Sequence, residues 1–321
     1  MSQTFSRLVQ GSLTTLSTIL IANSVQAAGL LMIPDSTNDR VMLFDSFDGS
    51  LVDENFIDGD GLFTTPINAI QVNNEIWVSD QMEDSIFRFN LRGQLIDTIG
   101  GTLDNIRGME FINDLVYVTN AGTDNGAPSP GVFVLDTNGN NVDFFAVNSP
   151  WDVFFYQGEL LISNSADDDI ERFTLDGTPL GSFITGPTTI DFPQQLAERS
   201  SGNVLVTRFS NSPSTLTPGA IIEYDSNGNQ LFSYAASDGV EDGGGRGVFE
   251  LENGNILWTS GNGVFSTNLN DATRTDIFTT SARFIEPLNA TIPESSTLAG
   301  LFTFGLVGIG SMIKRKRDCQ D

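Results

Sequence analysis

The stretch from Pro66 to Gly100, PINAIQVNNEIWVSDQMEDSIFRFNLRGQLIDTIG, decides the fold. Ile67 to Val72 reads as a first strand, and Asn73-Asn74 as a two-residue turn whose residues accept positive φ. Glu75 to Ser79 is a second strand, ended by Asp80. Ser85 to Asn90 alternates apolar and polar side chains as a third, Gly93 marks the next turn, and Leu95 to Ile99 is a fourth.

The same grammar runs along the chain. Turn glycines between third and fourth strands fall at Gly49, Gly93, Gly139, Gly177 and Gly228, spaced by 44, 46, 38 and 51 residues; a sixth unit turns near Asn270-Asp271. Third strands are expected at 40–45, 85–90, 131–136, 170–175, 220–225 and 263–268. Second strands are expected at 29–33, 75–79, 115–119, 159–163, 203–207 and 255–259. Four strands per repeat of roughly 40 to 50 residues is the blade of a β-propeller. The count predicts an all-β, six-bladed propeller with four-stranded blades. The first unit begins at its second strand, so Arg283 to Leu288 is expected to supply the missing first strand and close the ring, which hides both sheet edges.

The unit Pro66…Ile76-Trp77-Val78-Ser79-Asp80…Ser85-Ile86-Phe87-Arg88-Phe89-Asn90…Gly93…Ile99-Gly100 resembles the NHL repeat, and more loosely the six-bladed SMP-30/gluconolactonase propellers. The resemblance spans Gly29 to Leu288 and implies the fold. It leaves activity open, because such propellers serve binding and catalysis alike.

The two ends read as trafficking devices around a body of residues 28–292. Arg7, the apolar run Leu13 to Ala22 and the small residues Ser24 to Ala28 form a signal-peptide pattern over residues 1–27. At the other end, residues 293–321, Pro293-Glu294-Ser295 precedes the apolar run Leu298 to Ile313, which stops at Lys314-Arg315-Lys316-Arg317. Those two lysines are the only ones in the chain. Sixteen residues rise roughly 24 Å, short of a ~30 Å hydrocarbon core, and a basic block after a short span fits a C-terminal anchor with a cytoplasmic tail. This order of parts resembles the PEP-CTERM sorting signal, with Ser295 where that motif has its second proline. The resemblance implies exosortase-type sorting machinery as a partner, membrane attachment before processing, and a place in the cell envelope, on the outer surface or outside the cell.

The formal net charge is −26, and the body's ten arginines face 38 acids. That balance excludes nucleic acid as a natural partner, since phosphate binding needs clustered cations. With no histidine and a single cysteine, Cys319, behind the basic block, His-assisted nucleophiles, His-ligated zinc and internal disulfides are excluded.

Repeat alignment places Asp35, Asp80, Asn120, Asn164, Arg208 and Ser260 at one position just past the second strand, around the mouth of the central channel. Arg107, Arg246 and Arg283 open first strands where other blades carry Pro. Two readings follow. One is a polar pocket for a carboxylated or hydroxylated ligand such as a sugar, since the guanidinium fork matches a carboxylate. The other is a set of inter-blade bonds that plug the channel. Asp58-Gly59-Asp60-Gly61 resembles part of a Ca²⁺ loop without the closing Glu of an EF-hand, so Asp58 and Asp60 are the candidate metal ligands; a solvated acidic turn is the simpler reading. Trp77, Trp151 and Trp258 read as blade-packing core.

The function expected is an exported, surface-associated binding or structural propeller, with polysaccharide or another surface protein as candidate partners. The alternative is a metal-dependent lactonase or hydrolase of the gluconolactonase type. That family gathers Glu, Asn and Asp on a divalent cation, for which Asp80, Asn120 and Asn164 are the available substitutes.

Overall fold

The computed structural model describes residues 29–186, 190–209, 220–235, 244–270 and 273–289. The expected signal segment 1–27, the motif Pro293-Glu294-Ser295, the apolar run 298–313 and the basic block lie outside the described residues. No helix long and apolar enough to cross a membrane occurs among the described ones.

Six sheets of four antiparallel strands make up the fold. The second sheet is the stretch quoted above: β4 (Pro66–Val72), β5 (Glu75–Asp80), β6 (Ser85–Asn90) and β7 (Leu95–Ile99). The third holds β8 (Ile106–Ile112), β9 (Leu115–Asn120), β10 (Gly131–Asp136) and β11 (Asn141–Ala146); the fourth β12 (Pro150–Tyr156), β13 (Glu159–Asn164), β14 (Asp169–Phe173) and β15 (Pro179–Ile184). The fifth holds β16 (Pro193–Glu198), β17 (Val204–Arg208), β18 (Ala220–Tyr224) and β19 (Gln230–Ala235), and the sixth β20 (Val248–Glu250), β21 (Ile256–Thr259), β22 (Val264–Thr267) and β23 (Arg274–Phe278). The first sheet is split, in the order β24 (Glu286–Leu288), β1 (Leu30–Asp35), β2 (Arg40–Asp45) and β3 (Leu51–Asp58).

Closure by the far end of the chain is therefore real. Leu30 pairs Leu288, Met32 pairs Glu286, and an isolated bridge joins Asp35 to Ala282. Four expected second strands run one residue further and the first runs two further, so Asp35, Asp80, Asn120, Asn164 and Arg208 end strands and do not follow them. Asn73 and Gln157 take φ of 54° and 49°, as the tight turns between first and second strands require. Apolar residues of adjacent blades fill the seams: Ile70, Val72 and Trp77 of one blade pack with Ile106, Met109 and Val118 of the next.

The inner rim is joined by hydroxyls. The second strand carries Ser79, Thr119, Ser163, Thr207 and Thr259 at one position, all with no exposed surface. Ser79 Oγ accepts from Asn68 N at 3.2 Å and lies 2.6 Å from the Arg107 carbonyl of the next blade. Thr259 Oγ1 repeats this, accepting from Gly247 N and donating to the Arg283 carbonyl at 2.6 Å. Thr119 reaches the Trp151 carbonyl at 3.0 Å and Thr207 the Arg246 carbonyl at 2.8 Å. Ser79 and Thr259 thus relay a bond from their own first strand to the neighbour's. Thr119 and Thr207 lie between carbonyls of both strands, and Ser163 accepts from Asp152 N of its own blade. These bonds satisfy backbone groups at an inner edge that has no further strand to pair with. Blade one has Pro34 there, and its carbonyl accepts from Arg283 N instead. Gly108 and Gly247 let first strands come this close, since a Cβ on them would meet Asp152 Oδ1 and the Arg283 carbonyl at 2.5 Å.

Replacing Thr119 by Val keeps the shape and removes the relay, leaving the Trp151 carbonyl without this donor. We expect a loss of about 1–3 kcal/mol in urea unfolding. Unchanged stability would mean that the hydroxyls merely fill space.

Candidate binding site at the channel mouth

The second residue of each first strand, one past the register pairs Pro66↔Asp80, Ile106↔Asn120, Pro150↔Asn164 and Pro193↔Arg208, is Ile67, Arg107, Trp151 and Gln194. Arg246 holds the same place in the sixth blade and Arg283 in the split first blade, with Arg246 N bonded to the Thr259 carbonyl and Arg283 following the Asp35↔Ala282 bridge. These six residues ring the channel on the side where second strands turn into third strands.

Their side chains touch in sequence around the ring. The Arg107 guanidinium lies 3.9 Å over the Trp151 ring and donates from Nη1 to the Pro150 carbonyl at 3.0 Å. Trp151 meets Phe192 at 5.5 Å, Phe192 meets Phe209 at 5.5 Å, and the Arg246 guanidinium is 5.9 Å from the Phe209 ring. Arg246 Nη1 then donates to Ser281 Oγ at 2.8 Å, Ser281 meets Ser36 at 3.2 Å, and Arg283 Nε donates to Ser36 Oγ at 2.9 Å. Beneath, Ile67, Trp151 and Phe284 form an apolar floor.

The electrostatics of this ring are unusual for an acidic protein. Arg40, Arg88, Arg172, Arg199 and Arg274 all pair with carboxylates. Among the described residues, none lies within ion-pair reach of Arg107, Arg246 or Arg283. Burial pulls the guanidinium pKa down to about 10 at Arg107 and Arg246, and to about 9 at Arg283, where Arg246 adds repulsion. All three stay charged at neutral pH. Of seven buried side-chain polar atoms without a hydrogen-bond partner among the described residues, four belong to this ring: Nε of Arg107 and of Arg246, Trp151 Nε1 and Gln194 Oε1. A buried polar group left unpaired costs about 1–3 kcal/mol, so these atoms mark where an absent group would be stabilised.

The other residues singled out in the sequence behave differently. Asp35, Asp80, Asn120, Asn164 and Ser260 do share one level and are fully buried. Asp80, however, accepts from four backbone N–H groups, Thr64, Thr65, Met82 and Glu83, at 2.8 to 3.0 Å. Asp35 accepts from Thr37 and Asn38 N and pairs with Arg40 at 3.0 Å. Asn120 and Asn164 take Asp104 N and Ala166 N, and Ser260 Oγ accepts from Asn262 N. Arg208 is half-buried at the end of β17. The repeat position therefore shapes turns, and the arginine position faces the mouth. Asp58 Oδ1 accepts from Asp60 N in an exposed turn. Among the described residues, no three acidic, His or Cys groups gather to hold a metal.

Two features were missed in the sequence. Trp151, expected in the blade core with Trp77 and Trp258, lies instead on an innermost strand under Arg107; only the Pro150-Trp151 start of the fourth unit could have signalled it. The second is the plug below the mouth. Gln195 Oε1 accepts from Val248 and Ile285 N while its Nε2 donates to the Ile285 carbonyl and to Glu286, joining three blades. Asn68 also donates to Glu286, at 3.1 Å. Burial with mutual repulsion holds the carboxyls of Glu110 and Asp152 well above their usual range, and burial lifts Glu286 to about 7.

No protein-family model matches the chain. No curated protein matches it either. Among solved structures, the chain is similar to one in a nidogen–laminin complex, with 14% identity, a TM-score of 0.60 and coverage of 81% of this chain and 98% of that one. It is similar to a streptogramin B lyase at 13% identity and a TM-score of 0.55, covering 82% and 88%. A candidate 6-phosphogluconolactonase from Bacteroides uniformis is alike at 11% and 0.53, covering 82% and 100%. Such identities show the propeller fold and nothing finer.

Two outcomes follow from the geometry. Asp80→Ala leaves four N–H groups without their acceptor and should lower stability by about 3 kcal/mol or more; a melting temperature equal to wild type would contradict a turn-shaping role. Glu286, with its folded pKa raised from 4.5 to about 7, binds its proton more tightly folded than unfolded. Its contribution is complete below about pH 4.5 and is lost as pH rises through about 7. Glu286→Gln should flatten the fall in melting temperature over that interval, and an identical slope in both proteins would refute the assignment.

Proposed function

We propose that this chain is an exported, surface-associated propeller that binds a carboxylated ligand at the arginine mouth. One observation carries the reading. Buried Arg107 and half-buried Arg246 and Arg283 border one opening without carboxylate partners among the described residues, in a chain of formal net charge −26. Buried charge is retained where something compensates it, and the fork geometry of arginine suits a carboxylate. The terminal signal-like segments support export and handling by exosortase-type machinery, with membrane attachment before processing. A polysaccharide or another surface protein is the natural source of such a ligand. The lactonase alternative draws support from the likeness to the 6-phosphogluconolactonase candidate. Against it, Asp80, Asn120 and Asn164 direct side-chain oxygens to backbone N–H groups instead of to a shared cation.

Calorimetric titration of the folded body with citrate, galacturonate and acetate tests the binding reading. The Arg246→Gln/Arg283→Gln double variant should lose at least about tenfold in affinity, roughly 1.4 kcal/mol, with its melting temperature kept. Should no carboxylate bind wild type, and the variant melt well below it, the arginines are packing elements.

A further inference from the structure

The orphaned atoms of the mouth differ in kind. Nε of Arg107, Nε of Arg246 and Trp151 Nε1 are donors, and each asks for an acceptor such as a carboxylate or hydroxyl oxygen. Gln194 Oε1 is an acceptor, 2% exposed, and asks for a donor. A simple carboxylate has no donor to give, so it satisfies the arginines and leaves Gln194 as it is. A ligand that satisfies both carries hydroxyls beside its carboxylate.

The wall between the arginines narrows the class further. Arg107 and Arg246 stand at the two ends of the run Trp151, Phe192 and Phe209, whose neighbouring ring centres are 5.5 Å apart. Phe192 and Phe209 keep part of their surface exposed. Such a wall favours the apolar C–H face of a ring, and cations at both ends favour acidic groups repeated along the ligand. Resting on the anion-binding reading above, we infer that the mouth binds a short run of an acidic polysaccharide, with at least two hydroxylated, carboxylate-bearing sugar rings. Arg107 and Arg246 take carboxylates of successive rings, the phenyl groups support the sugar faces, and Gln194 accepts from a ring hydroxyl. Gln194, Phe192 and Phe209 are then the specificity-determining residues.

Calorimetry with trigalacturonate, galacturonate, maltotriose and the hydroxyl-free tricarboxylate tricarballylate provides the test, with tryptophan fluorescence as a second readout. Trp77 and Trp258 are fully buried, so a ligand-dependent change reports on Trp151. Trigalacturonate should bind at least about tenfold tighter than galacturonate, and neutral maltotriose should not bind. Gln194→Leu should weaken both galacturonates while sparing tricarballylate, which has no hydroxyl, and Phe209→Ala should weaken the trimer more than the monomer; retained tricarballylate affinity certifies that each variant is folded. Tricarballylate binding as tightly as trigalacturonate, or monomer and trimer binding alike, overturns the inference and leaves anion binding standing. Absence of binding by every carboxylate overturns both.

Discussion

The hydroxyl relay at the inner rim is the constraint on which the rest depends. The first strand of each blade has a partner on one side and the channel on the other, so half of its backbone groups face inward. Ser79, Thr119, Thr207 and Thr259 carry bonds from one blade to the next at 2.6 to 3.0 Å and hold the first strands close together. A bore drawn this tight is no tunnel. Asn68 and Gln195 cross what remains of it, and the upper opening becomes a cup with an apolar floor.

Charge is layered along that axis. Guanidinium groups stand at the rim, and below the floor Glu110, Asp152 and Glu286 sit together with no ion-pair partner among the described residues. Burial acts on both layers in opposite senses. It leaves arginine charged, because its ordinary pKa is far above neutrality, and it keeps the carboxyls protonated into a higher pH range. Among the described residues, Arg107, Arg246 and Arg283 thus stand together without an ion pair in a chain of formal net charge −26.

The architecture was legible because it is periodic. Strand alternation recurs in six units and the turn glycine in five, and repetition averages away single misreadings; the missing first strand of unit one then shows how the ring closes. The site was legible only in part. Arg107, Arg246 and Arg283 stand out near the starts of first strands. They lie one residue past the place of Pro66, Pro150 and Pro193, however, and do not replace them, because Ile106 and Ala282 hold the proline position. Asp80 and Asn120 share a column with residues at the mouth, yet what a side chain does there depends on whether the following turn offers N–H groups, which the column does not reveal. Gln195 and Glu286 are 91 positions apart, and nothing in either segment announces a bond across the axis.

The split blade also fixes a direction. Leu30 and Leu288 lie side by side, so the described body begins and ends at the same place. Leu288 closes a first strand that starts beside the arginine ring, which sets both ends at the opposite pole of the channel from the mouth. Residues 29 and 289 therefore both leave the described body on the face away from the arginine ring.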